Sequence, residues 1–134
     1  MEQRLSFVTL GVADLTRAQG FYEALGWKAS PYGEGKGIVF FQAGGMVIGL
    51  FPREELAADA GVEGAGGGFS GLTLSYNTRS EAEADAILKD VEAAGGKVIK
   101  PAHRVFWGGY SGYFADPDGH LWEVCFNPQI IVAA

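Results

Sequence analysis

A stretch near the end of the chain constrains the fold more than any other part of the sequence. Residues 112–126 read GYFADPDGHLWEVCF, in which two apolar segments flank Asp116-Pro117-Asp118-Gly119. Proline sets φ at the start of a turn, and glycine accepts the left-handed conformation at its end. Pro117, Asp118 and Gly119 are therefore predicted to form the loop of a β-hairpin.

The loop also predicts which residues face each other across the hairpin. Counting outward from Asp116, Phe114 pairs with Trp122 on one face. Tyr113 pairs with Glu123 on the other face. A carboxylate is thus expected beside a phenol, on the face opposite two large aromatic side chains.

Composition limits the class of protein. The chain has 134 residues, 48% of them hydrophobic and 19% charged, so it can bury a core, and we expect one domain over residues 1–134. A net charge of −6 argues against a nucleic-acid surface, which needs clustered Lys and Arg. Because no apolar run could span a bilayer and the N-terminus lacks a secretory pattern, we expect a cytoplasmic protein without a membrane partner. The single Cys125 cannot form an internal disulfide, which agrees with that compartment.

A first βαβββ pattern covers roughly residues 1–51. Residues 5–12 alternate in the manner of a half-buried strand, with Val8, Leu10 and Val12 facing the core. Asp14 is expected to N-cap a helix that ends near Gly26. The remaining strands of this module are predicted at residues 27–29, 38–42 and 46–51.

The same pattern returns at residues 69–128, after a connector at 52–68 that combines a short helix with a glycine-rich linker. Residues 71–76 repeat the alternation of the first strand, and Ser80 with Glu83 forms a capping box for a second helix. The remaining strands are predicted at residues 97–100, 105–114 and 121–126, and the tail at 129–134 is either a short strand or loose. The chain is therefore predicted to be an α+β protein built from two tandem βαβββ modules.

These features together resemble a known family. The opening VTLGVADL and FYEALGW, the closing GYFADPDGHLWEV and the internal repeat are similar to the vicinal oxygen chelate superfamily. Its members include glyoxalases, bleomycin-resistance proteins, fosfomycin-resistance enzymes and extradiol dioxygenases. The resemblance implies a mixed sheet curled into a cup, helices on the convex side, a ligand or metal site in the concavity, and a homodimer.

Metal-dependent members of the family carry ligands at four strand positions. The corresponding residues of this chain are Phe7, Ile48, Gly71 and Glu123. Only Glu123 keeps a donor atom, whereas a divalent metal needs several oxygen or imidazole ligands. We therefore expect no metal ion and no other cofactor.

The other reactive side chains have simpler interpretations. His120 follows the turn at an odd spacing from Glu123, so it should point to the opposite face. His103 precedes a predicted strand and is interpreted as an exposed rim residue. Cys125 shares the face of Glu123, but without an identifiable base it is interpreted as a small buried apolar residue and not as a nucleophile.

Strand alternation also predicts which side chains line the cup. If the strand at 105–114 is continuous, Trp107, Ser111 and Tyr113 share the face of Glu123. The predicted ligand-binding residues are Phe7, Thr9, Ile48, Thr73, Trp107, Tyr113 and Glu123. The aromatic residues could instead fill the concavity. Glu123 could be a hydrogen-bond partner of Tyr113, a counter-ion for a cationic ligand or a general base.

Three hypotheses follow. The leading one is a metal-free small-molecule binding protein similar to the bleomycin-resistance branch, with the ligand held in an aromatic cup that contains one carboxylate. The alternative is a lyase or isomerase that acts on an oxygenated small molecule, with Glu123 as its catalytic base. The third is a dimeric scaffold whose cup is filled by its own side chains.

Overall fold

The computed structural model describes residues 1–129 and consists of two compact units, Met1–Gly68 and residues from Phe69 onward. Both contain a sheet and at least one helix, so the protein has a mixed α+β fold. The part of the predicted tail beyond residue 129 lies outside the described residues. No helix in the described part of the chain has the length and apolar character needed to cross a membrane.

The first unit forms a three-stranded sheet in the order β1-β3-β2, with β1 parallel and β2 antiparallel to β3. Its elements are β1 (Phe7–Val12), α1 (Leu15–Ala24), a 3-10 turn (Pro31–Gly33), β2 (Val39–Ala43), β3 (Met46–Pro52) and α2 (Arg53–Ala60). The predicted N-cap is confirmed, because Asp14 Oδ1 accepts the Arg17 N–H at 3.0 Å. Phe21 and Tyr22 of α1 are buried together with Leu50 of β3.

The strand predicted at residues 27–29 is wrong. The Trp27 N–H donates to the Tyr22 carbonyl of the preceding helix, and its indole stacks on the Tyr22 ring at a centroid distance of 5.4 Å. The next contact with β2 is made after this stretch, where the Ser30 N–H donates to the Phe40 carbonyl at 2.8 Å. A large aromatic side chain therefore anchors this segment in place of a strand ladder, and the first unit is βαββ followed by α2.

The second unit has the predicted βαβββ order. Its elements are β4 (Leu74–Thr78), α3 (Glu81–Ala94), β5 (Lys97–Arg104), β6 (Tyr110–Ala115) and β7 (Leu121–Phe126). They form a sheet in the order β4-β7-β6-β5, with β4 parallel to β7 and the other pairs antiparallel. The Ser80 hydroxyl caps α3 by accepting the Glu83 N–H at 3.1 Å. The helix packs on β5, β6 and β7 and buries Ala84, Leu88 and Val91.

The predicted hairpin and its register are confirmed. Asp116 pairs with His120, and Tyr113 pairs with Glu123. Phe114 and Trp122 stack in the core with centroids 5.9 Å apart and planes at 3°. The loop sequence thus predicts which residue of β6 faces each residue of β7.

The strand predicted at 105–114 begins only at Tyr110. Residues 105–109 form a turn instead, in which the Val105 N–H donates to the Gly109 carbonyl and Gly108 has a φ of 94°. The Trp107 indole lies against Gly109 within this turn. The expectation that Trp107 continues the face of Tyr113 is therefore wrong, because the glycine pair turns the chain before the strand starts.

Candidate functional site

Glu123 lies at the centre of a polar cluster on one face of the second sheet. Because β7 is flanked by β4 and β6, Glu123 has Ser75 on one side and Tyr113 on the other. The Ser75 hydroxyl donates to Glu123 Oε1 at 3.0 Å, and the buried Ser111 hydroxyl donates to Oε2 at 2.7 Å. Both carboxylate oxygens are thus held by hydroxyl donors, which fixes the side chain.

Cys125 follows on the same face of β7, opposite Ser111, and is buried. Burial raises the pKa of its thiol, the negative charge of Glu123 raises it further, and a hydrogen bond with Ser111 acts in the opposite direction. Burial also raises the pKa of Tyr113, with smaller contributions from Glu123 and Cys125. Both groups therefore stay neutral at pH 7, and Cys125 is a poor nucleophile. We call Ser75, Ser111, Tyr113, Glu123 and Cys125 the Glu123 cluster.

The first unit carries aromatic side chains on one face of its sheet. Phe7 and Gln42 lie on either side of Val47 in the register, and Phe40 is opposite Gly49. The Phe40 ring contacts the rings of Phe7 and Tyr32, with a centroid distance of 5.8 Å in each pair. They surround a cavity of about 230 Å³, which we call the aromatic pocket, lined by Phe7, Ser30, Tyr32, Phe40, Gln42 and Val47.

A larger hollow of about 600 Å³ lies between α1 and residues 28–39. Much of its wall is loop, including Gly35 and Gly37, and no aromatic ring lines it. Ligand pockets are typically lined by hydrophobic and aromatic side chains with a few placed polar groups. The aromatic pocket fits that description better despite its smaller volume.

The expectation that Ile48 shares the face of Phe7 is wrong. Ile48 pairs with Val8 and Phe41 on the opposite face and is 4% exposed. Met46 is the first paired residue after its hairpin loop, as His120 is in the second hairpin, so matching Met46 with Leu121 shifts the register by one. A shift of one residue along a strand exchanges its two faces.

The ladder instead makes Gly49 the counterpart of Glu123. Gly49 lies between Thr9 and Phe40, as Glu123 lies between Ser75 and Tyr113. A Cβ atom at Gly49 would lie 3.4 Å from Thr9 Oγ1 and 3.5 Å from Phe40 Cε1. The Phe40 ring thus lies beside the position that corresponds to the carboxylate of the second unit.

The predicted site residues are distributed between the units. Phe7 and Thr9 share a face of β1, while Tyr113 and Glu123 are direct neighbours in the second sheet. Thr73 precedes β4 and is exposed. Trp107 lies in the turn after β5 and is 42% exposed.

The sequence did not identify Ser75 of the Glu123 cluster or any lining residue of the aromatic pocket other than Phe7. Ser75 joins the Glu123 cluster through the parallel pairing of β4 with β7, for which no local motif exists. Tyr32 reaches the aromatic pocket from the 3-10 turn at Pro31–Gly33, where the sequence predicted neither a helix nor a strand. Gln42 was placed on a strand, and the alternation of that strand puts it on the face of Phe40, which is the signal that could have identified it.

The residues present do not fit the divalent metal site that the family resemblance implies. The described residues contain no group of three or more His, Cys, Asp or Glu side chains that could hold a metal ion. Both oxygens of Glu123 already accept hydrogen bonds from serine, and its counterpart Gly49 offers no donor. His103 is exposed, with its Nδ1 3.2 Å from the Pro101 carbonyl oxygen.

Residues 4–124 match the model of a family described as the glyoxalase/bleomycin resistance protein/dioxygenase superfamily. The chain belongs to this superfamily. The predicted resemblance is therefore confirmed. No curated protein gives a significant match to this superfamily member.

Solved structures of similar proteins support the assignment. A glyoxalase-related enzyme from Fulvimarina pelagi is 36% identical, with a TM-score of 0.88 over 99% of this chain and 94% of that one. A hypothetical protein from S. aureus is 26% identical, with a TM-score of 0.82 over 95% of each chain. A lactoylglutathione lyase from Agrobacterium tumefaciens is 28% identical, with a TM-score of 0.69 over 95% of this chain and 96% of that one.

Proposed function

We propose that this superfamily member binds a small, flat organic molecule in the aromatic pocket of its first unit and does so without a resident metal ion. The observation that carries the proposal is the group of three rings around one cavity. Phe7 is 55% exposed and Tyr32 is 71% exposed, although side chains of this size usually gain stability by burial. A planar ligand between these rings would supply the missing apolar contact.

The volume of the pocket limits the size of the ligand. Sites for drug-sized molecules enclose about 300–1,000 Å³, and the aromatic pocket encloses about 230 Å³. We therefore expect a ligand with one or two fused rings. Thr9 lies on the same face as Phe7. Contacts of this ligand with Thr73, Trp107, Tyr113 and Glu123 remain predictions from the sequence.

Binding of 1-methylindole, followed by isothermal titration calorimetry, tests the pocket directly. We expect saturable binding that weakens about tenfold in Phe7→Ala, because an aromatic contact contributes about 0.5–1.5 kcal/mol. Phe69→Ala is the matched control, since Phe69 is similarly exposed, at 69%, but does not line the pocket. Equal binding by all three proteins would refute the assigned pocket.

Metal analysis of protein purified without chelator tests the metal-free part of the proposal. The supporting observation is the poor donor set, in which one carboxylate is already hydrogen-bonded by two serines. We expect far less than one metal ion per chain. Stoichiometric Zn, Ni, Fe or Mn that disappears in Glu123→Ala would contradict this expectation.

A second candidate function is a lyase or isomerase reaction in which Glu123 transfers a proton. The observation that favours it is the fixed carboxylate, held by Ser75 and Ser111 beside the Tyr113 phenol. Two of the similar solved structures are described as a glyoxalase-related enzyme and a lactoylglutathione lyase. Turnover of an oxygenated substrate that survives Glu123→Gln would exclude Glu123 as the base. The family resemblance also implies a homodimer, which light scattering would test.

A further inference from the structure

The Gln42 side chain provides an oriented hydrogen-bond acceptor at the aromatic pocket. Gln42 Nε2 donates to the Gly44 carbonyl at 2.8 Å and approaches the Met46 carbonyl at 3.3 Å. Because both neighbours are carbonyl oxygens, the amide nitrogen must face them, which fixes which end of the amide is which. No side chain or backbone group of the described residues donates a hydrogen bond to the amide oxygen, Oε1, which can therefore accept one from a ligand.

We propose that the aromatic pocket selects neutral, planar aromatic molecules that carry an N–H or O–H group, and that Gln42 Oε1 accepts this hydrogen. The inference rests on the proposed function, because it names the ligand class for the same pocket. It assigns Gln42 as the residue that determines specificity among flat ligands of similar shape.

The hairpin loop holds this acceptor in place. Of the two carbonyls that receive the Gln42 amide hydrogens, that of Gly44 lies in the tight turn Gly44-Gly45, where Gly44 has a φ of 63°, and that of Met46 directly follows the turn. Rotation of the amide would cost both hydrogen bonds and bring oxygen against oxygen. The acceptor is therefore preorganised, and a ligand loses little free energy in ordering it.

The charge of the pocket lining favours a neutral ligand. Among the described residues that surround the cavity none is a lysine, arginine, aspartate or glutamate. The neighbouring cation, Lys36, lies with its Nζ 4.3 Å from the centroid of the Tyr32 ring, where it is engaged in a cation–π contact. A charged ligand would lose hydration in this pocket without gaining an opposite charge.

The second polar group of the pocket is less restrictive. Ser30 Oγ accepts the Tyr32 N–H at 3.2 Å, which leaves the hydroxyl hydrogen free to rotate. A hydroxyl can accept or donate as the ligand requires, so it does not discriminate between ligand classes. Among the side chains that line the pocket, only the Gln42 amide oxygen requires a donor, so a ligand with an N–H or O–H group gains a hydrogen bond that its methylated analogue cannot make.

Indole and 1-methylindole form the test pair, because they share one ring system and differ in the N–H donor. Isothermal titration calorimetry should show indole bound about tenfold more tightly than 1-methylindole by the unmodified protein, which corresponds to about 1.4 kcal/mol. In Gln42→Leu the tenfold difference between the two ligands should disappear. Gln19→Leu is the control, because Gln19 lies on α1 in the same unit but does not line the aromatic pocket.

The possible results separate the inference from the function on which it rests. Equal binding of both indoles by the unmodified protein, with loss of both in Phe7→Ala, would overturn the selection by Gln42 and leave the pocket standing. Equal weakening of both ligands in Gln42→Leu would show that Gln42 only shapes the pocket, which also overturns the inference. Absence of binding by either indole would overturn both the inference and the proposed pocket.

Discussion

The two units place different chemistry on the same three-strand ladder. In both units a central strand lies between two others. One is the opening strand of the unit, which is parallel to it, and the other is its antiparallel partner in the hairpin. The residues that face one another across the strands are Thr9, Gly49 and Phe40 in the first unit and Ser75, Glu123 and Tyr113 in the second. A hydroxyl and an aromatic ring recur on the outer strands, so the units differ most at the central position.

The central residue decides what the outer residues do. In the second unit the Glu123 carboxylate accepts hydrogen bonds from two serine hydroxyls, so the side chains on this face form a connected polar cluster. At Gly49 no side chain competes for the space, and the neighbouring Phe40 ring contacts Phe7 and Tyr32. One ladder therefore supports an apolar pocket or a polar cluster, depending on a single position.

The largest effect is expected from Gly112→Ala, which tests the role of a strand glycine in the second unit. A Cβ atom there would lie 2.8 Å from the Ala102 nitrogen, the Lys100 carbonyl oxygen and Leu88 Cδ1. Because two of these atoms are backbone, we expect the free energy of unfolding to fall by about 3 kcal/mol. Urea denaturation measures the change. In the matched variant Gly49→Ala the new Cβ makes only ordinary contacts, so equal destabilisation of the two variants would refute this distinction.

The second effect concerns the polar cluster itself. Glu123→Ala removes the acceptor of the buried Ser111 hydroxyl, so we expect a loss of about 2 kcal/mol in the free energy of unfolding. Ser75→Ala is the control, because Ser75 is exposed and water can replace its hydrogen bond. We expect that control to lose about 0.5 kcal/mol or less. A larger loss in Ser75→Ala than in Glu123→Ala would show that burial does not determine the energy of this cluster.

A third variant places the central residue of the second unit at the corresponding position of the first unit. Gly49→Glu introduces a carboxylate at the position corresponding to Glu123, and its side chain must displace the Phe40 ring. We expect 1-methylindole binding to weaken about tenfold, since the ring contact contributes about 0.5–1.5 kcal/mol. Gly49→Ala, which stops at the Cβ atom, should retain binding. If Gly49→Glu binds as tightly as the unmodified protein, the empty central position is not what creates the pocket.

The fold was predictable where the signals are local. The Pro117-Asp118-Gly119 loop determines the register of its hairpin, and Asp14 and Ser80 mark the helix starts by hydrogen bonds to nearby residues. The segment at 27–29 was not predictable in this way, because Trp27 is anchored by stacking on the buried Tyr22. A strand that pairs weakly and a segment held by one aromatic ring have the same sequence pattern.

The site was predictable only within the second hairpin. The neighbouring pair Tyr113 and Glu123 follows from one loop, whereas Ser75 joins them through a pairing between strands far apart in the chain. Ile48 was assigned to the wrong face because Met46 was matched with Leu121, whereas its counterpart is His120, the first paired residue after the loop. Trp107 was assigned to a strand because the alternation of residues 110–114 can be extended back to residue 105. The glycine pair Gly108-Gly109 instead forms a turn before the strand begins. These errors arise from non-local pairing, from the residue at which a strand starts to pair and from a glycine turn, none of which residue alternation encodes.

The smallest expected effect is a change of the free energy of unfolding with pH. We attribute it to Cys125 of the second unit. The folded pKa of Cys125 is raised above its unfolded value, by burial first and by Glu123 second. In the pH interval between these two values the unfolded chain has lost the thiol proton and the folded chain has kept it, so the free energy of unfolding falls as pH rises. Denaturation at several pH values above about 8.5, the pKa of a free thiol, should show this fall in the unmodified protein, a smaller fall in Glu123→Gln and the least in Cys125→Ala. No cysteine lines the aromatic pocket of the first unit, so Phe7→Ala should leave the dependence of the free energy of unfolding on pH unchanged. If that dependence is also unchanged in Cys125→Ala, it arises from other groups such as Tyr113.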